Sequence, residues 1–188
     1  MSDTTKSYGT WCNRINQYST SPDADVLNVI NGGDSDWREL LENSGALALI
    51  RDEYRNAINA ALPPSISLCG DEFIGPAYPD DDEFDGYATD KHGALDLAAV
   101  LEDIDLEPIV ERNDPLTLES IGRHELKSQS KTPGKVASAA MARYGVKAFY
   151  HGPNPQSGRA QSYFLAGEVR AALEARLGQG KRTDRDAA

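Results

Sequence analysis

Lys127, Lys131, Lys135, Arg143, Lys147 and Arg159 stand in a run, Leu126 to Gly167, that contains no aspartate or glutamate, although acids make up 30 of the 188 residues. Cations cleared of carboxylates in this way are suited to holding a polyanion, because every acid near a phosphate chain would repel it. A surface kept only for solubility mixes both signs. The run also carries Ser138, Gln156 and Ser157, whose side chains can hydrogen-bond phosphates or base edges.

Other chemistries find little support. The chain has no Gly-x-Ser-x-Gly elbow, and Gly134-Lys135 has Gln129 where a phosphate loop needs its upstream glycine. His92, His124 and His151 have no spacing that suggests a metal pair or a base beside a nucleophile. Cys12 and Cys69 form neither a disulfide framework nor a Cys-x-x-Cys pair. An acidic stretch beginning at Asp81 puts Glu83, Asp85 and Gly86 at positions 3, 5 and 6 of a calcium loop. Position 12 is then His92, where the loop requires a bidentate glutamate, so a solvated acidic loop is the better reading. No enzymatic activity, cofactor or metal is expected.

Charge divides the chain. Residues 1–120 hold seven Lys/Arg against 25 Asp/Glu, residues 121–188 twelve against five, and the net charge is −11. Such asymmetry points to a nucleic-acid-facing module joined to an acidic part. No apolar run approaches the roughly 20 residues that span a bilayer. The opening MSDTTKSYGTW lacks the basic-then-apolar order of a secretory signal. A cytoplasmic protein without a membrane partner is expected.

The elements that must position the cations are legible in outline. Thr117 caps a helix with Glu119 in its first turn and Leu118, Ile121 and Leu126 inside. Gly122 in mid-helix costs roughly 1 kcal/mol against alanine, and a close approach by the neighbouring helix would compensate. Thr132-Pro133 starts a second helix that runs through Tyr144 and stops at Gly145. At 100° per residue Val136, Ala137, Ala140, Met141 and Tyr144 fall inside, and Lys135, Ser138, Ala139 and Ala142 outside with Arg143 on the flank. That outer face is small, polar and basic, a shape for a DNA major groove. Two strands, Val146–His151 and Gln161–Leu165, follow, joined by a long proline-stiffened tip from Gly152 to Arg159 that carries Gln156, Ser157 and Arg159. A last helix spans Glu168–Leu177.

Helix, helix, hairpin with a long tip, helix resembles a winged helix-turn-helix domain over Leu116–Leu177, or from Ala94 if the preceding helix is its first. The resemblance implies double-stranded DNA as partner. It makes Lys135, Ser138, Ala139 and Ala142 the reading face, and Gln156, Ser157 and Arg159 the wing tip. Lys127, Lys131, Arg143 and Lys147 are further DNA-binding candidates. The connection between the paired helices is longer than the three or four residues of a tight helix-turn-helix.

Upstream, helices are expected at Tyr8–Tyr18, at Asp23–Ile30 after Ser21-Pro22, at Trp37–Glu42 capped by Ser35 or Asp36, and at Ala46–Leu62, together a small bundle. A short strand at Ile66–Leu68 precedes the acidic turns, and Ala94–Asn113 returns to helix, broken near Pro108. The expected fold class is mainly α with a small β-hairpin. Residues 1–64 form a helical region, 65–93 an acidic irregular segment, 94–178 a winged-helix-like domain and 179–188 a disordered tail. The expected function is sequence-specific DNA binding, by a transcriptional regulator or an excision-type accessory factor. The acidic part would serve dimerisation, a protein partner or self-inhibition. The alternative is an acidic protein-interaction module: a DNA mimic, an antitoxin-like protein or a self-inhibited adaptor.

Overall fold

The computed structural model describes residues 22–69, 72–74, 84–89 and 95–179. The expected helix Tyr8–Tyr18, most of the acidic segment 76–92 and residues 180–188 lie outside them. The fold is mainly helical, with antiparallel sheets of two and three strands. Two compact units share the chain, one from Met1–Gly32 and Ile50–Ile109, the other from Gly33–Leu49 and Val110–Ala188.

In the first unit α1 (Pro22–Asn31) begins on a proline, which lacks only an N–H that the first turn would leave unpaired. The long helix α3 (Ala46–Ala61) buries Ile50, Tyr54 and Ile58 from one face, the stripe its periodicity predicts. Asp23 of α1 meets Arg55 of α3 at 3.0 Å and Arg51 at 3.8 Å. Burial pushes the Tyr54 hydroxyl up to about 12, helped by the nearby Asp25 carboxylate and a hydrogen bond to it. Strands β1 (Ser67–Cys69) and β2 (Glu72–Ile74) form a hairpin in which Leu68 faces Phe73. The expected strand thus starts one residue late and has a partner, β2, that was not expected. Leu68 N–H donates to Asn59 Oδ1 at 2.6 Å, fastening the hairpin to α3.

The helix expected over Ala94–Asn113 with a break near Pro108 is two short ones, α4 (Leu97–Glu102) and α5 (Glu107–Arg112). The break precedes Pro108. Asp105 Oδ1 accepts the Glu107 N–H at 3.0 Å and starts the new helix, and Pro108 then sits in a first turn, where no donor is lost.

The second unit holds the basic run. Helix α2 (Ser35–Ser44) is capped by Asp34, whose Oδ1 accepts the Asp36 N–H at 2.7 Å; the expected caps, Ser35 and Asp36, are already helical. This helix packs on β3 (Pro115–Thr117) and β4 (Tyr150–Pro153). It therefore belongs with the C-terminal elements, and not in a bundle with α1 and α3 as the sequence suggested. An expected boundary near residue 94 misses this, because one tryptophan and two leucines in ten residues carry no information about which distant surface they cover. Trp37 Nε1 donates to Asp114 Oδ1 at 2.8 Å, joining α2 to the residue before β3.

Three strands form the sheet of this unit in the order β3-β5-β4, all antiparallel, with β5 at Ala160–Leu165 in the centre. Two differences from expectation stand out. Strand β3 was not foreseen: Thr117 does cap the next helix, its Oγ1 accepting the Ser120 N–H at 3.1 Å, but the three residues before that helix also pair with Tyr163–Leu165. Strand β4 begins at Tyr150, four residues later than Val146, and extends into the expected tip through Pro153. Side chains of Val146 and Ala148 pack on the core without a ladder.

Helix α6 (Leu118–Ser120) continues as a π-helical turn, Ile121–Glu125, and α7 follows at Pro133–Tyr144. Ile121, Ala137, Met141, Phe164 and Val169 make the buried core between the paired helices, the sheet and α8 (Ala166–Gln179). Each fully buried large side chain here contributes roughly 1.5–3 kcal/mol. Helix α8 starts directly from β5, two residues before the expected Glu168. Arg170 on it reaches Glu125 at 3.2 Å and Glu111 at 3.8 Å, linking the last helix to the π-turn and α5.

Candidate nucleic-acid interface

Helix α7 is set by its two ends. Pro133 occupies the first helical position, and Gly145 takes the left-handed conformation at φ 72°, its N–H returning to the carbonyls of Met141 and Ala142. Ala137 and Met141 anchor it from below. The rest of the turn spacing then turns Lys135, Ser138, Ala139, Ala142 and Arg143 outward, and all five are exposed. Val136, expected inside, is 40% exposed. It lies one residue before the buried Ala137, at the edge of a core stripe too narrow to cover it.

Gly122 brings the paired helices together. A Cβ there would meet the Pro133 carbonyl and come within 2.8 Å of Pro133 Cβ, so only glycine permits this crossing. The close approach expected from a glycine in mid-helix is present, and it falls at the first residue of α7.

The seven-residue connection between the π-turn and α7 is held by its own polar groups. Ser128 N–H donates to the Gly122 carbonyl at 2.9 Å. Ser128 Oγ accepts the Ser130 N–H, and Ser130 Oγ the Thr132 N–H, both at 3.2 Å. Lys127 adopts φ 49°, a left-handed conformation that glycine ordinarily fills at a helix end. Lys127 and Lys131 are both exposed on this connection.

At the hairpin tip Asn154 organises the turn. Its Oδ1 accepts the N–H groups of Gln156 and Ser157, each at 2.9 Å. Its carbonyl accepts the Gly158 N–H at 2.7 Å, and its own N–H donates to the Arg159 carbonyl at 2.8 Å. Gly158, at φ 66°, closes the turn. Gln156, Ser157 and Arg159 are thereby presented outward from a fixed backbone, and all three are exposed.

An open depression of about 430 Å³ lies where α6, α7 and β5 meet, lined by Leu118, Glu119, Gly134, Lys135, Ser138, Gln161 and Ser162. Of the predicted residues it gathers Lys135 and Ser138. The tip residues precede its β5 lining by a few positions in the chain. Lys127, Lys131, Arg143 and Lys147 line no part of it. Glu119, Gln161 and Ser162 were not singled out in advance. Gln161 and Ser162 lay inside the acid-free run as ordinary strand residues, and Glu119 lay outside that run, brought to its edge only by the fold.

The pairing of charges is uneven. Arg123 is tied to Glu119 at 2.7 Å, and Arg170 to Glu125. By contrast Lys127, Lys131, Lys135, Arg143, Lys147 and Arg159 are all exposed, and none enters an ion pair among the described residues. His151 Nδ1 lies 3.0 Å from Ser162 Oγ on the face of the sheet. No three metal-binding side chains stand together among the described residues, and no helix among them is long and apolar enough to cross a membrane.

No family model, no curated protein and no solved structure matches the chain.

Proposed function

We propose that the second unit binds double-stranded DNA as a winged helix-turn-helix module, in a sequence-specific regulator or excision-type accessory factor, and that it acts by binding and not by catalysis. The observation that carries this reading is the set of six exposed cations that have no carboxylate partner among the described residues, in a chain whose net charge is −11. Solvation alone gives no reason to withhold acids from these six while Arg123 and Arg170 receive them. A duplex supplies the missing anions.

The shape agrees with the charge. An outer face of Lys135, Ser138, Ala139 and Ala142 has no bulky side chain to hold α7 away from a groove, so Lys135 and Ser138 can reach base edges and an alanine methyl can face thymine. Lys127, Lys131, Arg143 and Lys147 flank that helix at its two ends and serve as phosphate contacts. Gln156, Ser157 and Arg159 extend the surface from the hairpin tip towards the backbone or the minor groove. Strand β3 ties the hairpin to the helix pair, so the tip stands on a three-stranded base and not on an isolated ribbon.

The test is binding of the full chain to duplex DNA by fluorescence anisotropy over a range of salt. Six phosphate contacts at most give a log-log slope no steeper than about −5. The triple variant Lys127→Ala/Lys131→Ala/Lys147→Ala should weaken binding and flatten that slope by two to three units, on the order of 0.9 per contact. No affinity at low salt, or a slope that the triple variant leaves unchanged, overturns the reading. The full chain is required because α2, residues 35–44, is part of the unit.

A further inference from the structure

Glu119 is a carboxylate lining a depression that it shares with Lys135 and Ser138 of the reading face and Gln161 and Ser162 of the hairpin. Facing a polyanion, a carboxylate weakens affinity unless it accepts a hydrogen bond that the ligand alone can offer. Its geometry leaves it able to do so. Both Arg123 donors, Nε at 3.1 Å and Nη2 at 2.7 Å, go to Glu119 Oε1. Oε2 has no hydrogen-bond donor among the described residues. Arg123 also offsets the charge that nearby phosphates would meet.

We propose that Glu119 accepts a hydrogen bond from the N4 amino group of a cytosine, while Lys135, across the same depression, donates to O6 or N7 of the guanine paired with it. This rests on the DNA-binding reading above and extends it to a base preference. In the major groove only cytosine N4 and adenine N6 present amino donors. Beside adenine N6 stands the N7 lone pair, which repels a carboxylate; beside cytosine N4 stands a C5–H, which does not. The cation requirement is the complement, because guanine offers two acceptors on the opposite side of that pair and Lys135 offers three donors. Leu118 supplies an apolar floor, and water excluded from it strengthens both contacts.

The experiment is selection of bound duplexes from a random pool by the full-length wild type, Glu119→Ala and Glu119→Gln, with circular dichroism to verify folding. The wild type should recover a motif containing a C·G pair. Glu119→Ala should lose about tenfold preference at that one position and keep the others, while affinity for the unselected pool rises. Glu119→Gln should move the position towards adenine, which glutamine contacts through N6 and N7. A motif unchanged in both variants overturns the assignment and leaves DNA binding standing. A wild type that enriches no duplex overturns DNA binding and this assignment with it. Should Glu119→Ala not fold, the isosteric glutamine variant decides alone.

Discussion

Trp37 Nε1 and Asp114 Oδ1 are 2.8 Å apart and 77 residues apart in the chain. Burial raises the Asp114 carboxyl above its ordinary value near 3.8, and the Trp37 bond and the Arg170 charge oppose that rise. Trp37→Phe removes a donor to a half-buried charge and should destabilise the unit by about 2 kcal/mol in urea denaturation followed by circular dichroism. Asp114→Asn keeps an acceptor for Trp37 and removes the charge. The native pKa lies above the unfolded one, so the stability linked to this group is fully present below the unfolded pKa and is lost as pH rises through the native one. The asparagine variant should therefore melt higher than wild type at pH 7, and the gap should close as pH falls towards 4. An identical pH profile for both proteins would refute this.

Gly122→Ala tests the helix crossing. Helix propensity alone favours alanine by roughly 1 kcal/mol. The added methyl, however, would strike backbone atoms of Pro133, which cannot swing aside. A net loss of about 2 kcal/mol is expected, in the range of an overpacked core. A more stable variant would show that the two helices separate at little cost.

Lys127 sets stability against binding. Glycine at its left-handed position should stabilise the fold by up to about 1 kcal/mol, yet Lys127→Gly should weaken DNA affinity and flatten the salt slope by roughly 0.9. Lys127→Ala should give the same loss in binding with no gain in melting temperature. Unaltered slopes in both variants would remove Lys127 from the interface.

Asn154→Ala should loosen the tip without changing any charge. Two backbone N–H groups lose their acceptor, and because the tip is exposed the melting temperature should move little. Duplex affinity should fall several-fold at constant salt slope, since ordering the tip would then oppose binding. Anisotropy titrations at two or more salt concentrations separate this outcome from the lysine variants.

Local chemistry explains what was readable from the chain. Thr132-Pro133 and Gly145 mark both ends of α7 because proline and glycine act within a single turn, and Gly122 announced a close neighbour because nothing else excuses it in mid-helix. The periodicity of α3 gave its buried face. Long-range pairing left no such mark. Strand β3 is three residues, too short for alternation, and hides behind the cap at Thr117. Helix α2 could cover any apolar surface, and nothing within it names β3 and β4 as the strands it meets. The π-turn has no residue signature. For the candidate interface, exposure of the six cations was legible from composition and helical phase. Glu119 was not, because proximity across α6 and α7 depends on the crossing that Gly122 permits.

The interleaving of the two units has a consequence during synthesis. Trp37 leaves the ribosome early and waits for Asp114 and the strands that follow before its indole finds a partner. The last of those strands, β5, is also the central one, so the sheet cannot assemble until Ala160–Leu165 has been translated. Until then an amphipathic helix stands uncovered on the nascent chain. Pulse-labelling of translation intermediates should find residues 35–44 protease-sensitive until β5 has emerged.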